Sequence, residues 1–300
     1  MKGQSMSVQQ TSKIKIFLEM IKFEHTIFAL PFAYLGLVLG AMWVNGQWPT
    51  LYAWFFATLA MVGARTAAMS LNRLIDRAID AKNPRTASRA LPRGLLSVGE
   101  VWLYTILSFI LLFFAAAMLN PLAVQLLPLA VFVLVFYSYT KRFTWMSHLV
   151  LGVALGLAPL GGWVAATGRL DGVSLPIFFA VMFWTAGFDI VYATQDEAFD
   201  RAHGLHSIPV RFGLARSLVI ARMFHAVSIF FLLLLWYTAG LNIIYGLGVF
   251  IAALLLVYEH SIISPRDMSR LDTAFFTMNG ILSVVVFVAT VLALLTRTYV

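Results

Sequence analysis

The sequence lacks cysteine altogether and is poor in charge, since Asp, Glu, Lys and Arg make up 11% of its 300 residues. The absence of cysteine excludes disulfides, thiolate metal sites and cysteine nucleophiles. The shortage of charge, together with 61% hydrophobic residues and a mean hydropathy of +0.88, argues against a water-soluble domain. These features predict a polytopic membrane protein.

The apolar runs set the expected architecture. A helix that crosses the hydrocarbon core needs about 20 apolar residues, and the sequence separates into about nine such runs. The fold class predicted is therefore an all-α membrane bundle. The predicted spans are 23–44, 51–73, 98–119, 121–140, 146–167, 172–195, 216–238, 241–263 and 272–296.

The chain is expected to form a single integral-membrane domain over residues 1–300. A span that ends in aspartates, a polar segment and a following apolar pair occur twice, which indicates two pseudo-repeated halves at roughly 14–140 and 146–263. The helix 272–296 would follow them. The polar, basic segment Met1–Lys22 has no convincing cleavage site after it, so the first span is interpreted as uncleaved.

The net charge of +8 raises the question of nucleic acid, but the basic residues form no contiguous stripe with stacking aromatics, so no nucleic-acid partner is expected. Their distribution along the sequence instead matches the two sides of a membrane, with most of the basic residues on one side. With the N-terminus inside, only Arg169 and Arg297 clearly fall outside. The residues expected on the cytoplasmic side are Lys13, Lys15, Lys22, Arg77, Lys82, Arg85, Arg89, Arg93, Lys141, Arg142, Arg201, Arg211, Arg216, Arg266 and Arg270. A bacterial inner membrane is the expected location.

Two acidic ladders interrupt the apolar pattern. The first ladder is Asn72, Asp76 and Asp80, and the second ladder is Asp189, Asp196 and Asp200. Steps of four and seven residues return to nearly the same helical azimuth, so each ladder should line one face of its helix. Carboxylates at the end of a span are costly unless a cation or another partner satisfies them. The topology brings both ladders to the cytoplasmic face, where they could form one site.

The residue types around the ladders favour a metal and a phosphate ligand. Carboxylate oxygens suit Mg²⁺, which also accepts phosphate oxygens. The long polar connections that follow each ladder, and the end of the fourth span, add positive charge, and such a mixture suits a diphosphate. The basic residues concerned are Arg85, Arg89, Arg93, Lys141, Arg142 and His206. The alternative is that each ladder is a solvated helix end with local Asp–Arg pairs.

The sequence around the two ladders also resembles signatures of a known protein family. The segment Asn72–Asp80 has the pattern N-x-x-x-D-x-x-x-D and continues with Asn83-Pro84-Arg85-Thr86 and Arg89. It resembles the first signature of the UbiA-type intramembrane prenyltransferases. The second signature, D-x-x-Y-x-x-x-D-x-x-x-D followed by G-x-x-S-x-P, is similar to the run that contains Asp189, Tyr192, Asp196, Asp200, Gly204, Ser207 and Pro209. The resemblance covers nearly the whole chain.

The resemblance implies a nine-helix bundle around a central cavity that opens to the cytoplasmic side, and Mg²⁺-dependent transfer of a polyprenyl chain from its diphosphate to an acceptor. Metal ions and cations that stabilise the leaving diphosphate lower the barrier to ionisation. The proposed metal ligands are Asp76, Asp80, Asp196 and Asp200, with Asn72 and Asp189 assisting.

Several basic and aromatic residues receive expected roles. Lys141 and Arg142 lie in a Y-x-x-T-K-R stretch similar to one in the family, and are assigned to leaving-group stabilisation; the alternative is ordinary positive-inside flanking. Arg85 and Arg89 would bind the diphosphate or, alternatively, anionic lipid. The remaining residues expected to bind substrate are Tyr137, Tyr192 and Ser207.

Arg65 is an unusual charge within an apolar run. It lies seven residues before Asn72, so it should face the same cavity about two helical turns deeper. Family members that prenylate hydroxybenzoate have an arginine in this relation to the first signature, so a carboxylate on the acceptor is its expected partner. The alternative is a structural pair with a neighbouring helix.

These features together predict an aromatic polyprenyltransferase that joins the prenyl chain to a ring carbon of a hydroxy-aromatic acid of the 4-hydroxybenzoate type, as in ubiquinone biosynthesis. The ring carbon beside a hydroxyl is the nucleophile. A dihydroxynaphthoate acceptor, as in menaquinone biosynthesis, is the nearest alternative. A haem or chlorophyll prenyltransferase and, in a different class, a cation-coupled membrane transporter are further alternatives.

Overall fold

The structure is a computed structural model that describes residues 12–22 and 26–296, with the backbone alone for residues 26–29. The described part is helical, with a single isolated bridge between Ser264 and Asp267 and no strand. Residues 1–11 of the basic N-terminal segment, residues 23–25 of the predicted first span, and Arg297, expected on the outer side, lie outside the described residues. The helices are α1 Lys13–Met20, α2 Thr26–Asn45, α3 Leu51–Asp80, α4 Val98–Leu119, α5 Pro121–Thr140, α6 Ser147–Thr167, α7 Leu175–Ala193, α8 Glu197–Ala202, α9 Ile208–Phe212, α10 Leu214–Thr238, α11 Ile243–Ser261 and α12 Asn279–Leu295.

Eight helical segments in the described part are long and apolar enough to cross a membrane. The apolar segment Leu30–Asn45 of α2 is shorter than that criterion requires. The all-α membrane architecture is therefore confirmed, whereas the count of about nine spans stays a prediction.

Helix α3 extends beyond the span predicted from hydropathy. It has 30 residues, which correspond to a length of about 45 Å, against a hydrocarbon core of about 30 Å. The predicted span 51–73 thus covers only the apolar part of the helix. The additional turns are helical and include Asp76 and Asp80, so the first ladder lies on one continuous helix as expected.

The second ladder was expected on one uninterrupted helix, but the α-helix is broken within the ladder. Helix α7 ends at Ala193, a 3₁₀ turn covers Thr194–Asp196, and α8 begins at Glu197. A 3₁₀ turn has three residues per turn rather than 3.6. The seven-residue step from Asp189 to Asp196 therefore covers a larger rotation than in a uniform α-helix. Asp189, Asp196 and Asp200 nevertheless line one cavity.

Close contacts between backbones fix the wall formed by α2, α6 and α7. A Cβ atom at Gly36 of α2 would lie 1.9 Å from the carbonyl oxygen of Pro159, and one at Gly162 of α6 would lie 2.0 Å from that of Ala33. A Cβ at Gly152 would similarly approach the carbonyl oxygen of Met182 in α7 to 2.3 Å. Glycine lets these helices touch through their backbones, as is common between helices in membranes.

The segment between α3 and α4 folds back over the end of α3 instead of extending away from it. The Thr86 hydroxyl donates a hydrogen bond to the backbone oxygen of Asp80 at 3.0 Å, and the backbone N–H of Ala87 donates to Asn83 O at 2.8 Å. Leu96 of this segment packs in a buried cluster with Phe17 of α1 and Leu74 of α3. This connection is therefore anchored beside the first ladder.

Candidate active site

A cavity of about 640 Å³ lies between the helices and receives both ladders. Its apolar part is lined by small and aliphatic side chains, among them Ala57, Ala60 and Ala64 of α3 and Leu127 and Leu134 of α5. Its polar part contains nearly every residue predicted for the site. The predicted residues that line it are Arg65, Asn72, Asp76, Asp80, Arg85, Arg89, Tyr137, Lys141, Asp189, Tyr192, Asp196, Asp200 and Ser207.

Asp76 lies at the contact between α3 and the end of α5 and is 3% exposed. Its Oδ2 atom is 2.6 Å from Lys141 Nζ, and its Oδ1 atom accepts a hydrogen bond from Arg142 Nη2 at 2.8 Å. Asn72, one turn earlier, donates from Nδ2 to Asp76 Oδ2 at 3.2 Å. The carboxylate is therefore held by groups from two helices.

Asp80 is bound by the connection that follows its own helix. It is 5% exposed, and Arg89 Nη1 lies 2.7 Å from Oδ1 and 2.8 Å from Oδ2. Arg73 Nη1 is a more distant cation at 3.9 Å. The folded connection thus returns positive charge to the first ladder.

Asp196 joins the two ladders. Its Oδ1 atom accepts hydrogen bonds from Asn83 Nδ2 and from Arg85 Nε, both at 2.9 Å, and the Arg85 Nη2 atom contacts Oδ2. Arg85 Nη1 also donates to the Tyr192 hydroxyl at 3.0 Å. Burial lowers the pKa of Arg85, but the hydrogen bonds and the negative charge of Asp196 outweigh it and leave that pKa above its ordinary value.

Asp189 pairs with a histidine that sequence reasoning did not select. His148 Nδ1 lies 2.7 Å from Asp189 Oδ2, while His148 Nε2 accepts a hydrogen bond from the backbone N–H of Ile208 at 3.2 Å. Because Nε2 is the acceptor, the ring proton belongs on Nδ1, from which it is donated to Asp189. Ser207 caps α9 by accepting from Val210 N, so its hydroxyl is partly used within its own helix.

Asp200 differs from the other aspartates of the ladders. It lines the cavity, yet its side chain makes no hydrogen bond or salt bridge with any residue in the described ranges. Its carboxylate is therefore available to a cation that enters the cavity. Oxygen ligands of this type, together with the neighbouring Asp196, suit a hard divalent ion.

Arg142 does not line the cavity. It holds Asp76 from behind, while its Nη1 atom donates to Ser138 O at 2.6 Å and its Nη2 atom to Ile75 O at 3.0 Å. Lys141, its neighbour, does line the cavity. Lys141 and Arg142, which were predicted to share one role, therefore have different ones: Lys141 faces the cavity, and Arg142 positions Asp76.

An aromatic wall lines the cavity beside the start of the second ladder. Tyr192 stacks on Phe275 with ring centroids 4.2 Å apart, and Phe188 contacts both Phe275 at 5.3 Å and Trp184 at 4.9 Å. A π-helical turn, Thr273–Met278, precedes α12 and includes Phe275. Such turns often occur at functional sites. All four rings line the cavity, where they could stabilise a carbocation.

The structure adds Asn83, Arg73 and His148 to the residues selected from the sequence. Asn83 belongs to the quoted Asn-Pro-Arg-Thr stretch, so its position in a signature was the available signal. Arg73 and His148 are ionisable residues in or beside apolar runs, which is itself an indication of function. Arg65 does line the cavity, where its Nη2 atom lies 3.4 Å from the backbone oxygen of Lys22.

Comparison with known proteins identifies related sequences. The sequence model of the UbiA prenyltransferase family matches residues 29–281. A 4-hydroxybenzoate octaprenyltransferase of Pasteurella multocida is 32% identical over 259 residues, which cover 81% of this chain and 87% of that protein. Another, from Xanthomonas campestris, is 32% identical over 261 residues, with 85% of each chain covered.

Solved structures share the fold. A UbiA homolog from Aeropyrum pernix K1 superimposes with a TM-score of 0.81 at 33% identity, over 90% of this chain and 98% of that one. A UbiA homolog from Archaeoglobus fulgidus bound to GPP and Mg²⁺ gives a TM-score of 0.74 at 23% identity, over 94% and 100% of the two chains. At that identity the second likeness establishes the fold alone.

Proposed function

The chain belongs to the UbiA prenyltransferase family, and we propose that it transfers a polyprenyl chain from polyprenyl diphosphate to a ring carbon of 4-hydroxybenzoate, in ubiquinone biosynthesis. The observation that carries this proposal is the link between Asp196 and Arg85, which joins two sets of carboxylates and cations beside one largely apolar cavity. Relatives of about one-third identity that are named 4-hydroxybenzoate octaprenyltransferases support the choice of acceptor.

The polar part of the cavity suits a diphosphate. Lys141, Arg85 and Arg89 line it and carry donors that can bind phosphate oxygens. The residues that would hold Mg²⁺ are Asp76, Asp80, Asp196, Asp200 and Asn72. The ion would add positive charge where the departing diphosphate becomes more negative. Asp200, whose carboxylate has no partner in the described part of the chain, supports this fit.

The apolar part suits the isoprenoid tail, and the aromatic wall suits the cation that forms. Cleavage of the bond between the allylic carbon and the diphosphate oxygen leaves an allylic cation, which the faces of Tyr192, Phe275 and Phe188 can stabilise. The ring carbon beside the acceptor hydroxyl then forms the new carbon–carbon bond. The same ring carbon then loses its hydrogen as a proton, which restores the aromaticity of the ring.

The acceptor carboxylate is assigned to Arg65. This guanidinium lines the cavity on α3, seven residues before Asn72, so it lies about 10 Å along the helix from the first ladder. That separation would place the aromatic ring between Arg65 and the diphosphate. A carboxylate in an apolar cavity gains most from a charged partner, which favours an acidic acceptor over a neutral one.

The membrane orientation and the domain organisation of the chain belong to the same proposal. We place the mouth of the cavity on the cytoplasmic side of a bacterial inner membrane, because the basic residues cluster at the end of the helices that carries the ladders. Residues 1–300 would form one domain, with two pseudo-repeated halves. A cation-coupled transporter is no longer favoured, since the chain belongs to a family of transferases.

The proposal is tested with membranes that contain the full chain. They are supplied with octaprenyl diphosphate, Mg²⁺ and labelled 4-hydroxybenzoate or, in parallel, labelled 1,4-dihydroxy-2-naphthoate. We expect a lipid-soluble product from 4-hydroxybenzoate, with release of diphosphate, and none when Mg²⁺ is chelated. A product from the naphthoate alone would overturn the assignment of the acceptor. Failure of both acceptors in active membrane preparations would overturn the reaction.

A further inference from the structure

A second cluster of ligating side chains lies behind the aromatic wall, outside the site described above. It consists of His225 on α10 and of Glu259 and His260 near the end of α11. One ligand atom from each residue lies within 4.8 Å of the others. His225 is 2% exposed and Glu259 is fully buried. Buried ionisable groups are expensive in a membrane bundle, so this cluster calls for a physical explanation.

The hydrogen bonds of the two histidines determine which nitrogen atoms carry protons. His225 Nε2 lies 3.2 Å from the backbone oxygen of Trp184, and since a carbonyl only accepts, this nitrogen carries the proton. His225 Nδ1 then has a lone pair and faces His260 Nε2 at 2.9 Å. Histidines that bind metals typically donate their second N–H to a carbonyl or carboxylate in this way. His225 is therefore oriented as a metal ligand.

Glu259 provides the second, independent observation. Neither of its carboxylate oxygens has a hydrogen-bond partner within the described ranges, and neither does His260 Nδ1. The amide of Asn279 lies beside the Glu259 carboxylate, but its Nδ2 atom already donates to the backbone oxygens of Ala274 and Phe275 at 3.2 and 3.0 Å. An ionised carboxylate without a partner in an apolar interior is strongly destabilised. A cation in the cluster would satisfy it.

We propose that His225, Glu259 and His260 form a binding site for a divalent transition-metal ion of the zinc class, separate from the carboxylate ladders. Imidazole nitrogens favour such ions over Mg²⁺, which prefers an all-oxygen environment. Two histidines and one glutamate are a known ligand set for Zn²⁺, with a fourth position left for water. This inference is independent of the proposed function.

The position of the cluster indicates what the ion does. Trp184 and Asn279 line the substrate cavity, and the Trp184 indole donates to Asn279 Oδ1 at 2.6 Å. The backbone oxygen of the same tryptophan holds His225. An ion at the cluster would therefore join α10 and α11 behind the cavity wall and hold that wall in place, without touching substrate.

The first test is metal content in the full-length protein in lipid nanodiscs. Samples are equilibrated with Zn²⁺ in the presence of excess Mg²⁺, desalted and analysed by mass spectrometry. We expect about one Zn²⁺ per chain in the wild type and in Asp196→Asn, and loss of that ion in His225→Asn and Glu259→Gln. The exposed controls His203→Asn and Glu19→Gln should retain it. Zinc that is absent from the wild type, or that persists in both cluster variants, would overturn the site.

The second test needs no variant and so does not depend on whether a substituted chain folds. X-ray absorption at the zinc edge of the wild-type protein should show two imidazole ligands and oxygen ligands at about 2.0–2.1 Å. The same Zn²⁺ should raise the thermal midpoint of the wild type and of Asp196→Asn. Scattering from oxygen ligands alone would assign the zinc to the carboxylate ladders and contradict the proposal.

Discussion

Arg85 binds Asp196 across 111 residues of sequence, with Nε 2.9 Å from Oδ1 and a second contact from Nη2 to Oδ2. The guanidinium comes from the connection after the first ladder and the carboxylate from the second ladder. Such a two-point contact fixes distance and orientation together, because the guanidinium is planar and rigid. Both ladders are therefore held around the same volume.

Removal of a carboxylate from either ladder should abolish transfer. Asp76→Asn and Asp196→Asn each keep the shape of the side chain and remove its charge, so we expect kcat/KM to fall by about 10²–10³-fold or more. Product formation with saturating Mg²⁺ is the measurement. Asp267→Asn, which changes an exposed acid that does not line the cavity, is the control and should behave as the wild type. Wild-type turnover in both ladder variants would remove their assigned role.

Asp200 should affect the requirement for metal more than the maximal rate. Because its carboxylate is unpaired in the described part of the chain, Asp200→Asn breaks no salt bridge there and leaves the other aspartates in place. We expect the Mg²⁺ concentration for half-maximal rate to rise about tenfold or more. The measurement is a Mg²⁺ titration at saturating substrates, with thermal stability as a check on folding. An unchanged titration curve would show that Asp200 is not a ligand.

The contact between Arg85 and Asp196 predicts a graded effect of substitution. Loss of a hydrogen bond to a charged group costs about 1.5–3 kcal/mol, so Arg85→Ala should raise KM for the diphosphate substrate by about 10- to 100-fold. Arg85→Lys keeps the charge but loses the planar two-point contact. Its KM for the diphosphate substrate should lie between those of the wild type and Arg85→Ala. Arg77→Ala removes an exposed arginine of α3 and serves as the control. Equal activity in all three variants would contradict the assignment.

Arg65 should distinguish acceptors by charge. Arg65→Ala is expected to raise KM for 4-hydroxybenzoate by about 10- to 100-fold, because a charged partner in an apolar cavity is lost. For 4-hydroxybenzamide, which has the same shape and no charge, the variant and the wild type should have similar KM values. Steady-state rates with each acceptor provide the comparison. An equal loss with both acceptors would indicate that Arg65 supports the structure instead.

The contact between α2 and α6 predicts a difference between two adjacent glycines. Gly162→Ala would place a Cβ 2.0 Å from the backbone oxygen of Ala33, so we expect the free energy of unfolding to fall by about 1–3 kcal/mol. Gly161→Ala is the matched control, because a Cβ there meets nothing within 4 Å. Thermal unfolding in detergent measures both variants. Identical unfolding midpoints in the two variants would show that the contact between α2 and α6 accommodates the added methyl group without loss of stability.

Much of the architecture follows from the sequence because the membrane imposes a simple rule on apolar runs. The observed α4, Val98–Leu119, matches the predicted span 98–119 closely, and α5 ends at Thr140 as predicted. Helix α3 was underestimated, since its last turns are polar and hydropathy cannot follow a helix beyond the lipid. The 3₁₀ turn at Thr194–Asp196 was missed because the periodic spacing of the aspartates assumes a uniform helix.

The site was predictable only as far as local signatures extend. The spacing of Asp76 and Asp80 identified the first ladder, but the geometry that turns Arg142 away from the cavity depends on how α5 packs on α3. The partnership of His148 with Asp189 likewise requires two helices to meet. The dipeptide Glu259-His260 in an apolar run was a detectable signal of a second site, and its partner His225 could not be assigned without the packing of α10 on α11.

The ion pairs of Asp76 with Lys141 and of Asp80 with Arg89 mean that the polar pocket is nearly neutral before any ligand enters. An anion alone must compete with the carboxylates for the cations, and a metal alone must compete with the cations for the carboxylates of Asp76, Asp80 and Asp196. A magnesium–diphosphate complex avoids both competitions, because its metal binds the carboxylates while its phosphate oxygens bind the cations. Metal and prenyl donor should thus show positive thermodynamic coupling, and free phosphate or nucleotides in the cell should be weak competitors for the resting protein.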